Sequence, residues 1–321
     1  MAIDRPQMTV MLASTRVPEN GAPFADARQR IADFVRGWSL EATLPNTADV
    51  AALKDILRPG GQVYLSALPR RDPAEQLEAA VRLSAAGLEP VPHIAVRNFA
   101  DRAALDAFLA RLAGEAGVRR VLVIAGDRDQ PAGSLRSAIE AIDSGVLQRH
   151  GIGEIGIAGY PDGHPRVSQH DLDRALTDKI AIAAQLGLSV TIVTQFCFEA
   201  KPIVAWIARL REFGIENPVR IGLAGPTNIA SLLRYARRCG VTASAQGLAR
   251  RAGLARQVFG MSAPDALLRA LAEAHGHLGD VAPHFFSFGG IAATARWASA
   301  VAAGRITLDA ADGFQVAPPP T

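Results

Sequence analysis

Short apolar runs alternate with stretches of helical periodicity along nearly the whole chain, and this alternation limits the folds open to it. The clearest run is Arg119 to Asp127, rich in β-branched residues and closed by Gly126-Asp127. Glu154 to Gly159 and Ser189 to Gln195 are a second pair of strands, joined by a helical pattern from Ser168 to Leu186. Trp38 to Pro45, Gln62 to Ala67 and Glu89 to Ile94 precede them, with helices predicted over 74–86 and 100–116. Ser134 is placed to cap a helix reaching Gln148. Pro218 to Leu223 and His284 to Phe288 complete the strands, following a helix over 202–213 and preceding one over 291–303. Helices over 228–239, 246–259 and 263–275 form an extra group before the last strand.

Eight strands separated by helices, with no composition break between them, predict a single (β/α)8 TIM barrel. The reading divides the chain into a lead-in and helix over 1–36, a catalytic barrel over 37–307 and a flexible tail over 308–321. A doubly wound open sheet would want a glycine-rich dinucleotide fingerprint after an early strand, and neither G-x-G-x-x-G there nor G-x-x-x-x-G-K-[ST] anywhere occurs. Hydrophobic residues make up 49% and charged residues 20% of the 321, enough to build a sizeable core. No apolar run approaches the roughly 20 residues needed to span a bilayer, so no membrane contact is expected. The formal charge is +3 with arginines scattered over helices, which argues against nucleic-acid binding. Met1 to Pro6 does not resemble a secretory signal, and Cys197 and Cys239 are the only cysteines, which together favour a cytoplasmic location.

In a barrel of this kind the residues that meet ligands stand where strands end. The strand ends here are Glu41, Ser66, His93, Asp127, Tyr160 with His164, Gln195, Gly225 and Ser287. Carboxylates, histidines and an amide replace the Val, Ile and Leu that a purely structural core would place there. Glu41 is the sharpest of these, because a carboxylate inside a buried strand is costly unless it is paired, hydrogen-bonded or protonated. No metal is expected, since the histidines lack tight ligand spacing and neither cysteine has a C-x-x-C partner. No G-x-S-x-G elbow points to a serine hydrolase. A Schiff-base lyase is disfavoured as well, since Lys201 follows its strand too late.

Taken in order, Ser39-Leu40-Glu41, Pro92-His93, Gly126-Asp127, Tyr160-Pro161-Asp162-Gly163-His164-Pro165, Asp171-Leu172 and Thr194-Gln195-Phe196-Cys197-Phe198 resemble the methylenetetrahydrofolate reductase family. The resemblance runs from about Leu40 to Phe288. It implies NAD(P)H-dependent reduction of 5,10-methylenetetrahydrofolate to 5-methyltetrahydrofolate, with FAD relaying the hydride in familiar members. By resemblance Glu41 is the acid and Asp127 the second catalytic carboxylate, which also binds the pterin with Gln195 and Phe198. His93, Tyr160, His164, Asp171, Lys179 and Ser66 would face the cofactor. A carboxyl in an apolar strand is expected to have a raised pKa, which suits an acid.

Departures from the family pattern concentrate on the flavin side. Ser66-Ala67-Leu68-Pro69-Arg70-Arg71 stands for Thr-Tyr-Gly-Ala, Ala125 for an arginine, and Phe288-Gly289-Gly290 for Leu-Asn-Arg. The loop Ala224 to Asn228 also lacks the aromatic usual there. The pattern therefore reads as a divergent branch in which hydride passes with or without FAD. Its alternative is a folate- or pterin-binding barrel without reductase activity, serving as carrier or partner subunit. The ligand in either case is a small-molecule folate, and a homo-oligomer is left open.

Overall fold

The computed structural model describes residues 27–238, 241, 261–310 and 312–317. The N-terminal lead-in, Cys239, the helix expected over 246–259 and the terminal prolines lie outside the described residues. Eight parallel strands close into a barrel: β1 (Ser39–Ala42), β2 (Gln62–Leu65), β3 (Glu89–Ala95), β4 (Arg120–Ile124), β5 (Glu154–Gly159), β6 (Ser189–Thr194), β7 (Val219–Ala224) and β10 (Val281–Phe286). The expected (β/α)8 barrel is what forms. Neighbouring strands pair in sequence order, and β10 closes the ring by pairing with β1, Ser39 opposite His284 and Glu41 opposite Phe286.

Helices wrap the outside. They are α1 (Ala27–Val35), α2 (Thr47–Ile56), α3 (Pro73–Ala85), α4 (Arg102–Glu115), α5 (Ala138–Asp143), α6 (Val146–Arg149), α7 (Gln169–Gln185), α8 (Ala200–Glu212), α9 (Ile229–Arg238), α10 (Asp265–Ala274) and α11 (Ile291–Ala302). Their buried faces pack on the outward side chains of the strands and form one continuous apolar layer. Inside the ring Tyr64, Val91, Leu122 and Val193 fill the middle. The floor is polar: Arg120 is held by Glu89 at 2.6 Å and by Glu154, and Arg220 by Asp280 at 2.8 Å. The inward positions at the opposite ends of the strands are thereby left to line the mouth.

Four elements depart from the sequence reading. The stretch after β1 holds α2, started by a capping box in which Asn46 and Asp49 each accept the other's backbone N–H at 3.0 Å. The helix expected from Ser134 to Gln148 is two pieces, because Gly145 at φ +71 is left-handed and ends α5. The last barrel strand starts at Val281, earlier than read, after a turn at Gly279 (φ +74), and it ends at Phe286, leaving Ser287 and Phe288 in the following loop. The tail expected to be flexible carries a hairpin, β11 (Ile306–Leu308) against β12 (Phe314–Val316), with Phe314 buried. A short antiparallel pair, β8 (Thr227–Asn228) and β9 (Met261–Ser262), flanks the mouth.

Candidate active site

Ser39 and Glu41 are two apart on β1, so both point into the barrel. On β10 the same alternation sends His284 and Phe286 inward, and the register sets His284 directly opposite Ser39. His93 enters from β3 and Ser66 from the end of β2. Gln76 on α3, itself buried, donates to the carbonyls of Leu65 at 2.8 Å and His93 at 3.2 Å and so fixes both strand ends.

These side chains converge on the Glu41 carboxylate. Ser66 Oγ donates to Oε1 at 2.7 Å, while His284 Nε2 lies 3.4 Å and His93 Nε2 3.5 Å from Oε2. His284 is fully buried, and its Nδ1 is 2.9 Å from Ser39 Oγ. The Glu41 backbone carbonyl accepts from Ser287 Oγ at 2.6 Å, which gives that strand-end serine a supporting place. Burial pushes the Glu41 carboxyl up. The charge interaction with His93, the hydrogen bond and charge of His284 and the Ser66 hydroxyl outweigh it, and Glu41 sits below the usual carboxylate range. The expected raised acid is therefore corrected: histidines from distant strands reverse what burial alone would do. Burial, opposed by Glu41, keeps His93 below the ordinary imidazole value and hence neutral at pH 7.

Asp127 follows Gly126, where φ is +92 and an added Cβ would lie 2.9 Å from Ala95 Cβ, so no side chain is admitted. Its carboxylate is exposed, and its charge is felt by His93, Tyr160 and His164, so it faces the same mouth. Tyr160 lies edge-on to His164 at 5.3 Å, and burial with Asp127 pushes its phenol up. Burial, followed by Arg166, pushes the His164 imidazole down. Gln195, half-buried, hydrogen-bonds through its N–H to Gly159 at 2.9 Å and accepts from Phe196 N–H at its own Oε1, 3.1 Å away. Phe198 stands edge-on to Phe196 at 5.6 Å.

Two further assigned residues lie on α7. Asp171 is exposed in the first turn of α7, where it accepts from the Ser168 hydroxyl at 2.6 Å while Ser168 caps its N–H. Lys179 is buried on the inner face of the same helix, and desolvation alone pushes its ammonium down to about 8.

The sequence reading passed over His284, Ser39 and the aromatic wall of the mouth. Phe288 stacks on Tyr235 of α9 at 4.1 Å, and both border a cavity of about 300 Å³ together with Glu41, Ser66 and Phe286. Ser39-x-Glu41 is a two-residue polar alternation, and His284-x-Phe286 has the same inward spacing, visible in the sequence once the strand bounds are right. Among the described residues no group of three or more His, Cys, Asp or Glu is gathered to hold a metal ion, and no helix is long and apolar enough to cross a membrane.

A family model described as methylenetetrahydrofolate reductase matches residues 71–252, more than half of the chain. The chain belongs to that family. The matched span carries His93, Asp127, the Tyr160–His164 loop and Gln195, while Glu41, Ser66 and His284 lie outside it. Among solved structures, an uncharacterized protein from Clostridium thermocellum that binds two copies of 5-methyl-5,6,7,8-tetrahydrofolic acid is similar at a TM-score of 0.54 and 12% identity, over 86% of this chain and 96% of that one. This likeness shows a shared fold. Dihydropteroate synthase from Thermus thermophilus also matches, at 0.46 and 13% identity, over 81% and 89% of the two chains.

Proposed function

We propose that this member of the methylenetetrahydrofolate reductase family reduces 5,10-methylenetetrahydrofolate to 5-methyltetrahydrofolate with NAD(P)H. The observation that carries the reading is the Glu41 carboxylate, set in the wall of a cavity whose other sides include Phe286, Phe288 and Tyr235. A pterin needs flat apolar surfaces against its faces and polar groups at its edge. Asp127 and Gln195 are the edge-reading groups and Phe198 an apolar neighbour. The bridging C–N10 bond breaks as Glu41 delivers a proton to N10 and the N5 lone pair forms the iminium; bound NAD(P)H would supply the hydride that the methylene carbon takes up. The balance is one hydride and one proton consumed per methyl group formed.

FAD, where a family member binds it, relays the hydride from nicotinamide to folate. Tyr160 and His164 stand at the mouth, but the other four residues assigned to it here fit that task poorly. Ser66 and His93 are turned to Glu41, Asp171 serves its helix, and Lys179 is buried with no carboxylate partner among the described residues. That dispersal supports direct transfer from NAD(P)H to the folate. In the test, NAD(P)H oxidation by flavin-stripped protein is followed anaerobically with methylenetetrahydrofolate. Turnover without added FAD is expected, and a strict requirement for FAD sinks the direct route. Glu41→Gln is expected to lose about 10²- to 10⁴-fold in rate while still binding folate. Near-normal rates remove Glu41 from the mechanism.

The ionised resting state of Glu41 favours a second reading, a folate-binding barrel without reduction, and the folate-binding Clostridium thermocellum protein is consistent with it. Intact 5-methyltetrahydrofolate binding with no turnover under any nicotinamide or flavin condition selects that reading.

A further inference from the structure

Reduction of the methylene group takes up one proton in each cycle, yet the group placed to deliver it rests as a carboxylate. Once folate closes off water, a donor that is mostly ionised has to draw its proton from a neighbour, and Glu41 has three. Ser66 donates a hydroxyl hydrogen to Oε1, and a serine hydroxyl does not give up its proton as an acid near neutral pH. His93 approaches Oε2 at 3.5 Å, but its Nε2 is a buried atom without a hydrogen bond and its ring is held neutral. His284 is left. Its Nε2 faces Oε2 at 3.4 Å, and its other nitrogen is engaged by Ser39 at 2.9 Å.

We propose that His284, oriented by Ser39, is the positioning residue that stores the proton Glu41 hands to the substrate. The inference rests on the reductase reading above. Ser39 Oγ accepting from Nδ1–H fixes the ring so that Nε2 is the nitrogen turned to the carboxylate. In the pair primed for turnover Nε2 carries the stored proton and faces the ionised Glu41. As folate enters and closes off water, the Nε2–H bond breaks and Oε2–H forms. Glu41 then passes its proton to N10 as the C–N10 bond opens, and the His284 ring is left neutral with Nδ1–H still on Ser39. After product leaves, solvent at the mouth returns a proton by way of Glu41. Every atom of this path is on β1 or β10, paired directly at the closure of the barrel.

The other groups facing the pair are compatible with this role. Tyr64 of β2 packs edge-on to His284 at 4.7 Å, and burial pushes its phenol up to about 12, so it stays neutral. Phe286 of β10 lies edge-on at 5.2 Å and supplies no charge. His93 of β3 is held below the ordinary imidazole value, chiefly by burial, and so adds no positive ring beside His284. Ser66 of β2 holds Oε1 and leaves Oε2 for the imidazole.

The test uses the full chain. His284→Gln is expected to lower kcat about 10²- to 10⁴-fold with the KM for folate little changed, and to flatten the fall of kcat as pH rises through the imidazole range. Ser39→Ala removes only the hydroxyl, so the ring stays; kcat is expected to drop and its pH midpoint to move. Wild-type kcat and pH profile in His284→Gln overturn the proposal. If His284→Gln does not fold, an unchanged profile in Ser39→Ala overturns it. A readout without turnover separates this from the reductase reading: in ¹⁵N-histidine spectra of the ligand-free protein, Glu41→Gln is expected to shift the His284 Nε2 resonance. No shift overturns the His284 role even in an active enzyme. An inactive wild type that shows the shift sinks the reductase reading, and with it the transfer to folate.

Discussion

At the residue scale, the two groups at the centre of the site are tuned away from their ordinary values in a way that makes the fold acid-sensitive. His93 is held below 6.5 in the folded chain, chiefly by burial. As pH falls through 6.5 the unfolded chain takes up a proton before the folded one does, so stability falls in step until the folded value is reached. Glu41, held below 4.5, adds a loss of the same sign further down, because there too the unfolded chain is protonated first. Replacing His93 by Gln removes the upper window and narrows the lower one, because the charge interaction with His93 is the largest of those that hold Glu41 down. Denaturant melts at pH 7 and pH 5 are expected to show wild type losing more stability between the two than His93→Gln. Equal losses would mean that His93 is not held neutral by its surroundings. None of this is legible near Glu41 in the chain, since the partner that helps reverse its pKa lies 243 positions away. The sequence marks a carboxylate that needs a reason; only the closed ring supplies the histidines.

At the element scale, α7 carries two of the assigned residues, Asp171 and Lys179, and each answers to the helix. Ser168 and Asp171 cap its start, a reciprocal arrangement that local spacing announces. Lys179 faces inward between Leu176 and Ala183, where an ammonium is costly. Held at about 8 against an ordinary 10.5, it costs about 3 kcal/mol at neutral pH, taking about 1.4 kcal/mol per tenfold change in proton affinity. Between pH 8 and 10.5 the unfolded chain keeps a proton that the folded chain has shed, so this cost disappears as pH rises. Lys179→Met is expected to be more stable than wild type by about that amount at pH 7, with the gap closing toward pH 10. A variant that is less stable at pH 7 would show that the ammonium has a partner the desolvation argument omits. The same scale explains what could be read in advance. β4, β5 and β6 are β-branched and bounded by turns, so they stand out in the sequence. β10 begins Val281-Ala282-Pro283, and the proline disguises its first half, which hid the inward alternation of His284. α2 follows Pro45, a residue that reads as a stop, and its Asn46-x-x-Asp49 box was the signal available.

At the scale of the whole molecule, the barrel separates what holds it together from what faces ligand. α11 begins beside the mouth at Ile291 and runs back along β10, so the hairpin that follows it lies toward the floor. There Phe314 stacks on Trp297 at 6.0 Å, and Trp297 meets Phe285 on the outer face of β10 edge-on at 5.6 Å. Asp265 accepts the Phe314 N–H at 3.3 Å and Asp309 the Gly313 N–H at 2.8 Å, which pins a turn whose Asp-Ala-Ala-Asp-Gly sequence looks unstructured in isolation. The tail thus seals the back of the strand whose front carries His284. Phe314→Ala is expected to remove about 3 kcal/mol or more of stability through the cavity it leaves, a fall in Tm on the order of 5 °C or more. Truncation after Arg305 should cost more, because it also uncovers Trp297. Well below the lowered Tm, folate affinity in Phe314→Ala is expected to match wild type, because the mouth is built from the opposite ends of the strands. A loss of affinity out of proportion to the fraction unfolded, measured at about 20 °C beside the melt, would show that the outer face of β10 transmits strain to the Glu41 and His284 pair, and that the two ends of the barrel are not independent.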